Sequence, residues 1–468
     1  MTNHKSTGSE SPNRKERHKM GKALRQDVPL SSHSGWTPAP DRPDPISLLQ
    51  AQDEGRLKHL LPIKYGRMVE SPFAFLRGSA VVMASDLANT PVSGIDVVLC
   101  GDAHLSNFGV FATPERKLVF DLNDFDEAYP GPWEWDLKRL AASAVVAGRQ
   151  NGFKGKVNLK LARLVTQSYR ESMELFAKLT VLDMWYFYVE AEKILALFER
   201  YSQKGAKSTK KMLNKARTKT QAATLEKLTE VIDGQRRFIS DPPLLARLSD
   251  LLTDEQKAQI EGQHTEEGWS DYLNSLPEDR RILLSRFRIA DGALRVGGVG
   301  SVGTRCAILL LEGAAEEDAI ILQQKEAGPS VLEAYLPHRI YTSQAQRVVV
   351  GQRMMQATSD IFLGWHQSGL THTQYYWRQL KDMKGSVDTE RLDEAGLGTY
   401  LAVCSMCLAR AHARTGDAAA IAGYMGKSKS FDKAIGKFAT AYANQTVRDH
   451  QALVEAVKSG RIAAETGI

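Results

Sequence analysis

The sequence predicts an α+β fold, a large helical part built around one hairpin and followed by a smaller antiparallel sheet that begins at a glycine-rich segment. Three observations predict it. Residues 134–290 carry apolar residues at helical spacing nearly throughout, as in LARLVTQSYRESMELFAKL. Two short apolar runs, IDVVLC at 95–100 and KLVFDL at 117–122, read as strands, the second leaving a turn at TPER to make a hairpin. At Leu294 the texture changes: RVGGVGSVGTR leads into CAILLLEG, a break at AAEED, and AIILQQKEA, which reads as a glycine loop opening a second hairpin.

Taken in order, residues 1–45 are rich in Ser, Pro, Lys, Arg and His and lack apolar periodicity, so they read as a flexible polar tail with too little apolar surface to offset ordering entropy. Residues 46–290 form a first unit: short helices to about 95, the hairpin, then helices with no strand expected. Residues 291–385 form a β-rich unit, with a helix around 343–358 and further strands near 360–365 and 374–380. Helices packing back on the first unit fill 386–468.

Composition excludes several classes. Hydrophobic residues at 43% and charged residues at 25% are proportions of a folded globular protein, and 468 residues suffice for two or three packed units. The net charge of +6 suits an anionic ligand and gives no reason to expect a nucleic-acid partner. Cys100, Cys306, Cys404 and Cys407 are too few and scattered for a disulfide framework, which fits a reducing cytoplasm. Cys404 and Cys407 lie in a helical pattern without a second ligand pair for zinc and read as core. No run of about 18 apolar residues is present to span a membrane. The basic run 204–219 reads as a solvated helix face.

The chemistry concentrates in two stretches. In GDAHLSNFG, Asp102 follows a strand and Asn107 comes five positions later; a carboxylate that orients an attacking hydroxyl and an amide oxygen that holds magnesium are what phosphoryl transfer requires. In NDFDEAYPGPWEWDL, Asp124 follows the hairpin as the main candidate ligand for Mg2+, a hard cation held by carboxylate oxygens, and Asp126 adds a second oxygen. Asp121 competes with Asp124. His104 reads as a supporting residue.

The second stretch, Gly298-Val-Gly300-Ser301-Val-Gly303, is a G-x-G-x-x-G match that continues into a strand. A dinucleotide-binding turn opens a helix instead, so a phosphate-covering loop between antiparallel strands is the better reading. Lys325, at the end of AIILQQKEA, is placed to pair with the α- and β-phosphates, and Glu333 is the nearest glutamate for it.

At these residues the chain resembles the protein-kinase-like superfamily, particularly its aminoglycoside-phosphotransferase branch. There a His-Gly-Asp-x-x-x-x-Asn loop precedes a hairpin, an Asp-Phe-Asp/Glu motif and a Tyr-Asp-Leu-Ala helix start. Cys100-Gly101-Asp102 with Asn107, Asp124-Phe125-Asp126 and Trp135-Asp136-Leu137 follow the same order, with Cys100 where the branch has histidine. From about 60 to 425 the chain also resembles the bacterial domain-of-unknown-function family 2252 (DUF2252), through SPFAFLRGSA, CGDAHLSNFG, FDLNDFDEAYPGPWEWDLKRLAAS, GVGSVGTRC, RQLKDMKGS and LARAHARTGD. In ordinary kinases the glycine loop and lysine precede the catalytic loop, whereas here they follow it. The resemblance therefore implies a two-lobed kinase-like fold that is circularly permuted, with strands 360–380 as the hinge near adenine.

The function expected is an ATP- and magnesium-dependent phosphotransferase. Asp102 is its catalytic residue, Asn107, Asp124 and Asp126 hold Mg2+, and Gly298, Gly300, Ser301, Gly303 and Lys325 bind the nucleotide. The alternatives are nucleotidyl (AMP) transfer with ATP lying in the opposite sense, and a non-catalytic nucleotide-binding scaffold. By analogy the acceptor is a small molecule, with a protein as the other choice. Arg77 and Lys381 are candidate contacts for its anionic groups.

Overall fold

In the computed structural model the described residues are 12–251, 263–315, 317–336, 341–380 and 383–467. The largest apolar cluster forms where helices Glu134–Gln150, Gly155–Phe176, Glu394–Thr415 and Ser430–Lys458 lay their apolar faces together. Cys404 and Cys407 are buried in it as free thiols. Trp133 and Tyr169 stack at its centre with their ring planes 5° apart. The basic helix Gln203–Thr218 keeps its lysines in solvent.

Four short strands sit on this helical body: β1 (Asp96–Leu99), β2 (Phe108–Ala112), β3 (Leu118–Leu122) and β4 (Tyr129–Pro132). β2 and β3 form the hairpin around the expected turn, and β5 (Val189–Glu190) adds to β3. The run at 95–100 is not an arm of that hairpin. As β1 it pairs antiparallel with β4, Leu99 opposite Tyr129, in a stretch whose two prolines conceal a strand from pattern reading.

The helical reading of 134–290 also needs correction. β6 (Thr229–Ile232) and β7 (Gln235–Phe238) make a hairpin whose turn, Asp233-Gly234, has φ of 49° and 75°, the conformation an Asp-Gly pair supplies. β8 (Leu245–Arg247) and β9 (Arg288–Arg295) follow. Charged side chains on these strands break the apolar alternation that would have announced them.

β9 then turns through the glycine loop into β10 (Cys306–Glu312) and β11 (Ala319–Glu326), and β12 (Gly364–Gln367) and β13 (Gln374–Gln379) complete one antiparallel sheet in the order β12-β13-β11-β10-β9-β8. Strand alternation sorts its side chains. Ile308, Leu310 and Ile321 pack with Leu225 and Phe238 on one face, while Leu311 and Leu322 pack with Tyr272, Leu276 and Leu284 on the other. The β-rich part therefore starts well before residue 291. Helices Gln263–Asn274 and Glu278–Leu284, expected to belong to the helical body, cover this sheet instead.

Within the expected flexible tail, Asn13 caps helix Arg14–Ala23 by accepting from the backbone N–H groups of Lys15 and Glu16, and the described part of the segment packs on the helical body. Gly21 lies so close to helix Ala418–Met425 that a Cβ there falls 1.9 Å from the Ala420 carbonyl oxygen. Arg25 donates to the carbonyls of Gly423 and Tyr424, and His33 meets the Tyr424 hydroxyl at 2.7 Å. These anchors are polar or steric, so hydropathy does not announce them. Among the described residues no helix is long and apolar enough to cross a membrane.

Asp121 of β3 and Arg410 of helix Glu394–Thr415 form a fully buried pair at 2.6 Å; Arg410 also donates to Met355 O, and Asp121 accepts from Ala357 N. Asp121→Ala leaves that guanidinium uncompensated, and the expected loss of about 3–5 kcal/mol is to be read from urea unfolding. A loss below about 1 kcal/mol would show that the pair does not hold these elements together.

Candidate functional site

The site begins where β1 ends. Gly101 has φ of 77°, and a Cβ there falls 2.3 Å from Glu127 O, so only glycine fits the turn that presents Asp102. The backbone N–H groups of Cys100 and Gly101 donate to Asp136 at 2.8 and 3.0 Å, in the first turn of helix Glu134–Gln150. Asp136 in turn meets His412 Nε2 at 3.2 Å, and His412 Nδ1 meets the Tyr169 hydroxyl at 2.7 Å. This chain of contacts supports the loop where Cys100 has no side chain able to do so.

One helical turn beyond Asp136, Arg139 pairs with Asp102 and donates to Leu76 O at 2.8 Å. Burial pushes the Asp102 carboxyl up to about 7, with Arg139 offsetting part of the rise. His104 is buried, accepts from Ser106 N at Nδ1, and is driven well below its usual range by burial and by the charges of Arg139 and Arg77. It is a neutral support, as expected. Asn107 donates from Nδ2 to Asp102 O at 2.7 Å, leaving its amide oxygen as the remaining acceptor.

After β3 the chain alternates: Phe125 enters the main core while Asp124 and Asp126 line a cavity. Asp126 bridges two groups of the sheet, Lys325 Nζ at 2.5 Å and the Tyr376 hydroxyl at 2.6 Å. Burial works to raise the Asp126 carboxyl, but the charge and hydrogen bonds of Lys325 and the Tyr376 hydroxyl outweigh it and hold the group low. Burial and the Asp126 charge push the Asp124 carboxyl up. Its Oδ1 is buried with no hydrogen-bond partner among the described residues.

The glycine loop is pinned from outside. Val299 packs among Ile46, Leu49 and Phe75, and Val302 among Leu60 and Ile63. Arg56 donates to the carbonyls of Gly300 and Val302 at 2.5 and 2.7 Å, and Leu57 N donates to Gly303 O. Gly298 and Gly303 have φ of 75° and 91°, as a loop doubling back between two strands requires.

Asp102, Asn107, Asp124, Asp126, Gly298, Gly300 and Ser301 line one cavity of about 350 Å³. Asp124, Gly298, Ser301, Gly303 and Lys325 line an adjoining one of about 240 Å³. The residues expected as catalytic, metal-binding and nucleotide-binding each line one or both of these two cavities. Asp121 is not among them, being held by Arg410. Glu333 does not pair with Lys325; it reaches Ser330 N and Arg347, while Asp126 is the carboxylate on Lys325. Among the described residues no three His, Cys, Asp or Glu side chains group as a metal cluster. The expected metal ligands in the larger cavity are the carboxylates of Asp124 and Asp126 and the Asn107 amide.

Arg77 lines the larger cavity, with Nε buried and lacking a partner among the described residues; Lys381 lies outside the described residues. Sequence reading missed Arg56, Arg139, His412, Arg295, Arg378 and Lys384. Asp136 stands in the helix-start motif, so Arg139, three positions on, shares its helix face and was open to detection. The others carry no local signal.

The chain belongs to the family described as "Uncharacterized protein conserved in bacteria (DUF2252)", whose model matches residues 56–456. No curated protein and no solved structure matches it.

Because Asp136 carries the loop of Asp102 through two backbone N–H groups and contacts a histidine, Asp136→Ala is expected to cost about 3 kcal/mol or more and Cys100→Ala about 1 kcal/mol in urea unfolding. Equal costs would mean that Cys100 supports the loop after all.

Proposed function

We propose that this member of the family is an ATP- and magnesium-dependent transferase of the protein-kinase-like kind, passing a phosphorus-centred group from ATP to a hydroxyl of a small molecule or protein. The observation that carries this reading is one enclosure: the glycine loop and the carboxylate loop, far apart in sequence, line the same cavity, and Lys325 on β11 reaches Asp126. A circularly permuted two-lobed kinase-like architecture is supported by the order of parts. The glycine loop, the β10–β11 hairpin with Lys325, helix Gln344–Met355, β12 and β13 come in kinase sequence, and the helix Glu394–Thr415 that would lead into the catalytic loop follows them.

Within this reading Asp102 accepts the proton of the attacking hydroxyl, held in place by Arg139. A carboxyl near 7 suits that role, because it ionises close to neutrality yet binds a proton well. The orphaned Asp124 Oδ1 fits a cation, since a buried carboxylate oxygen without a donor is costly. Asp124 and the Asn107 amide oxygen would hold it, and Asp126, paired with Lys325, would be the further carboxylate within the same cavity. Magnesium, when bound, neutralises charge on the phosphate oxygens.

Two variants test the proposal. With Asp102→Asn, magnesium-dependent loss of ATP is expected to fall by about 10²–10⁴-fold while Mg·ATP binding persists; Asp124→Asn should weaken that binding. The active form of Asp102 is the ionised one, so turnover should rise between pH 6 and 8 with a midpoint near 7 and then level off. Full turnover by Asp102→Asn defeats the assignment.

A further inference from the structure

We infer that ATP lies with its polyphosphate tail in the smaller cavity, so that the α-phosphorus faces Asp102 and the group transferred is AMP. This rests on the reading of the paired cavities as a Mg·ATP site and specifies which way the nucleotide points.

The smaller cavity is where strands 360–380 were expected to border adenine. Its walls are cationic: Arg295 at the end of β9, Lys325 on β11, Arg378 on β13, and Lys384 just beyond. Adenine is flat and neutral, and such rings are held by apolar walls with a few polar groups. Lys325 is already paired with Asp126. Among the described residues Arg295, Arg378 and Lys384 form no ion pair; Arg378 donates to the Gln323 amide oxygen at 2.9 Å and lies over the Tyr376 ring at 5.9 Å.

Desolvated cations that make no direct ion pair, with Asp124 the one carboxylate lining the cavity, leave this cluster suited to a polyanion. The ammonium of Lys384 shows the strain of that crowding: burial and the Arg378 charge push it down to about 7. The glycine backbone at Gly297 and Gly298 borders the same space.

The larger cavity has the opposite character. Asp102, Asp124, Asp126, Glu127 and Glu326 all line it, against Arg56 and Arg77. A triphosphate there would meet carboxylates of its own sign, whereas a neutral nucleoside would not. Asp124 borders both spaces, so a cation held by it would serve the junction between them, where this orientation puts the α-phosphate.

In the step that follows, the acceptor oxygen bonds to the α-phosphorus and the bond from that phosphorus to the α–β bridging oxygen breaks. The electron pair leaves on pyrophosphate, and the hydroxyl proton passes to Asp102. The products are an AMP ester and pyrophosphate, or AMP and pyrophosphate when water is the acceptor.

The test is calorimetric titration of the full chain with ATP, AMP and inorganic tripolyphosphate in magnesium, followed by identification of the ATP turnover products. Tripolyphosphate should compete with ATP, and Arg378→Gln and Lys384→Gln should each weaken ATP and tripolyphosphate about tenfold or more. AMP affinity should stay within about twofold in both variants, which also reports that they fold; Lys384, outside the strands of the sheet, serves as the second variant should Arg378→Gln unfold. Release of pyrophosphate with AMP supports the orientation.

If ATP binds but tripolyphosphate does not compete and both variants bind ATP normally, or if the products are ADP and phosphate, the orientation is wrong while the nucleotide site stands. Absence of any ATP binding removes both.

Discussion

The contact on which the site depends is the ion pair between Lys325 and Asp126, formed by residues 199 positions apart. It joins the sheet to the loop that follows β3, and with the Tyr376 hydroxyl on the other oxygen it fixes Asp126 toward the sheet. The ammonium is almost fully buried and the carboxylate is partly open to the cavity, 7% against 30% exposed. Such a pair contributes little net stability, because desolvation offsets most of the attraction. Its value is positional. Phe125 is driven into the core, so the two aspartates flanking it are turned to the cavity without strain.

Two further constraints hold the walls at the right separation. On one side Asp136 gathers the backbone at Cys100 and Gly101, while Arg139 from the same helix holds Asp102; one helix start thereby sets both the loop's path and the orientation of its carboxylate. On the other side Arg56, Val299 and Val302 fasten the glycine loop to the segment before β1. A glycine loop between two strands is ordinarily among the easily deformed parts of a structure, because glycine leaves the backbone free. Here apolar side chains inside the loop and a guanidinium beneath it remove much of that freedom. The stretch 45–87, unremarkable by pattern, thus becomes part of the site.

Much of this was legible in the sequence for a specific reason: the chemistry sits at strand ends beside glycines, and both strand runs and glycines leave local marks. Asp102, Asn107, Asp124 and Asp126 around one hairpin, and Gly298 to Gly303 before another, needed only local reading. The pairing of β1 with β4 did not show, since YPGP has no strand pattern. The strands between 229 and 247 were hidden by charged side chains, although Asp233-Gly234 marks their turn. The partner of Lys325 was sought on the next helix, where sequence proximity suggested Glu333; folding supplied Asp126 from the other half of the chain.

What the sequence by itself determined is the local content: an α+β chain with no apolar run long enough to cross a membrane, a carboxylate loop and a glycine loop each built by its own residues. Alternation, turn chemistry and glycine's conformational freedom act within a few residues of each other, so they are written locally. Tertiary structure alone decided that the two loops share a cavity and that Asp121 belongs to Arg410. It alone decided too that Arg295, Arg378 and Lys384 crowd one pocket. Burial and charge are properties of what surrounds a group, and for these residues the surroundings come from strands and helices far away along the chain.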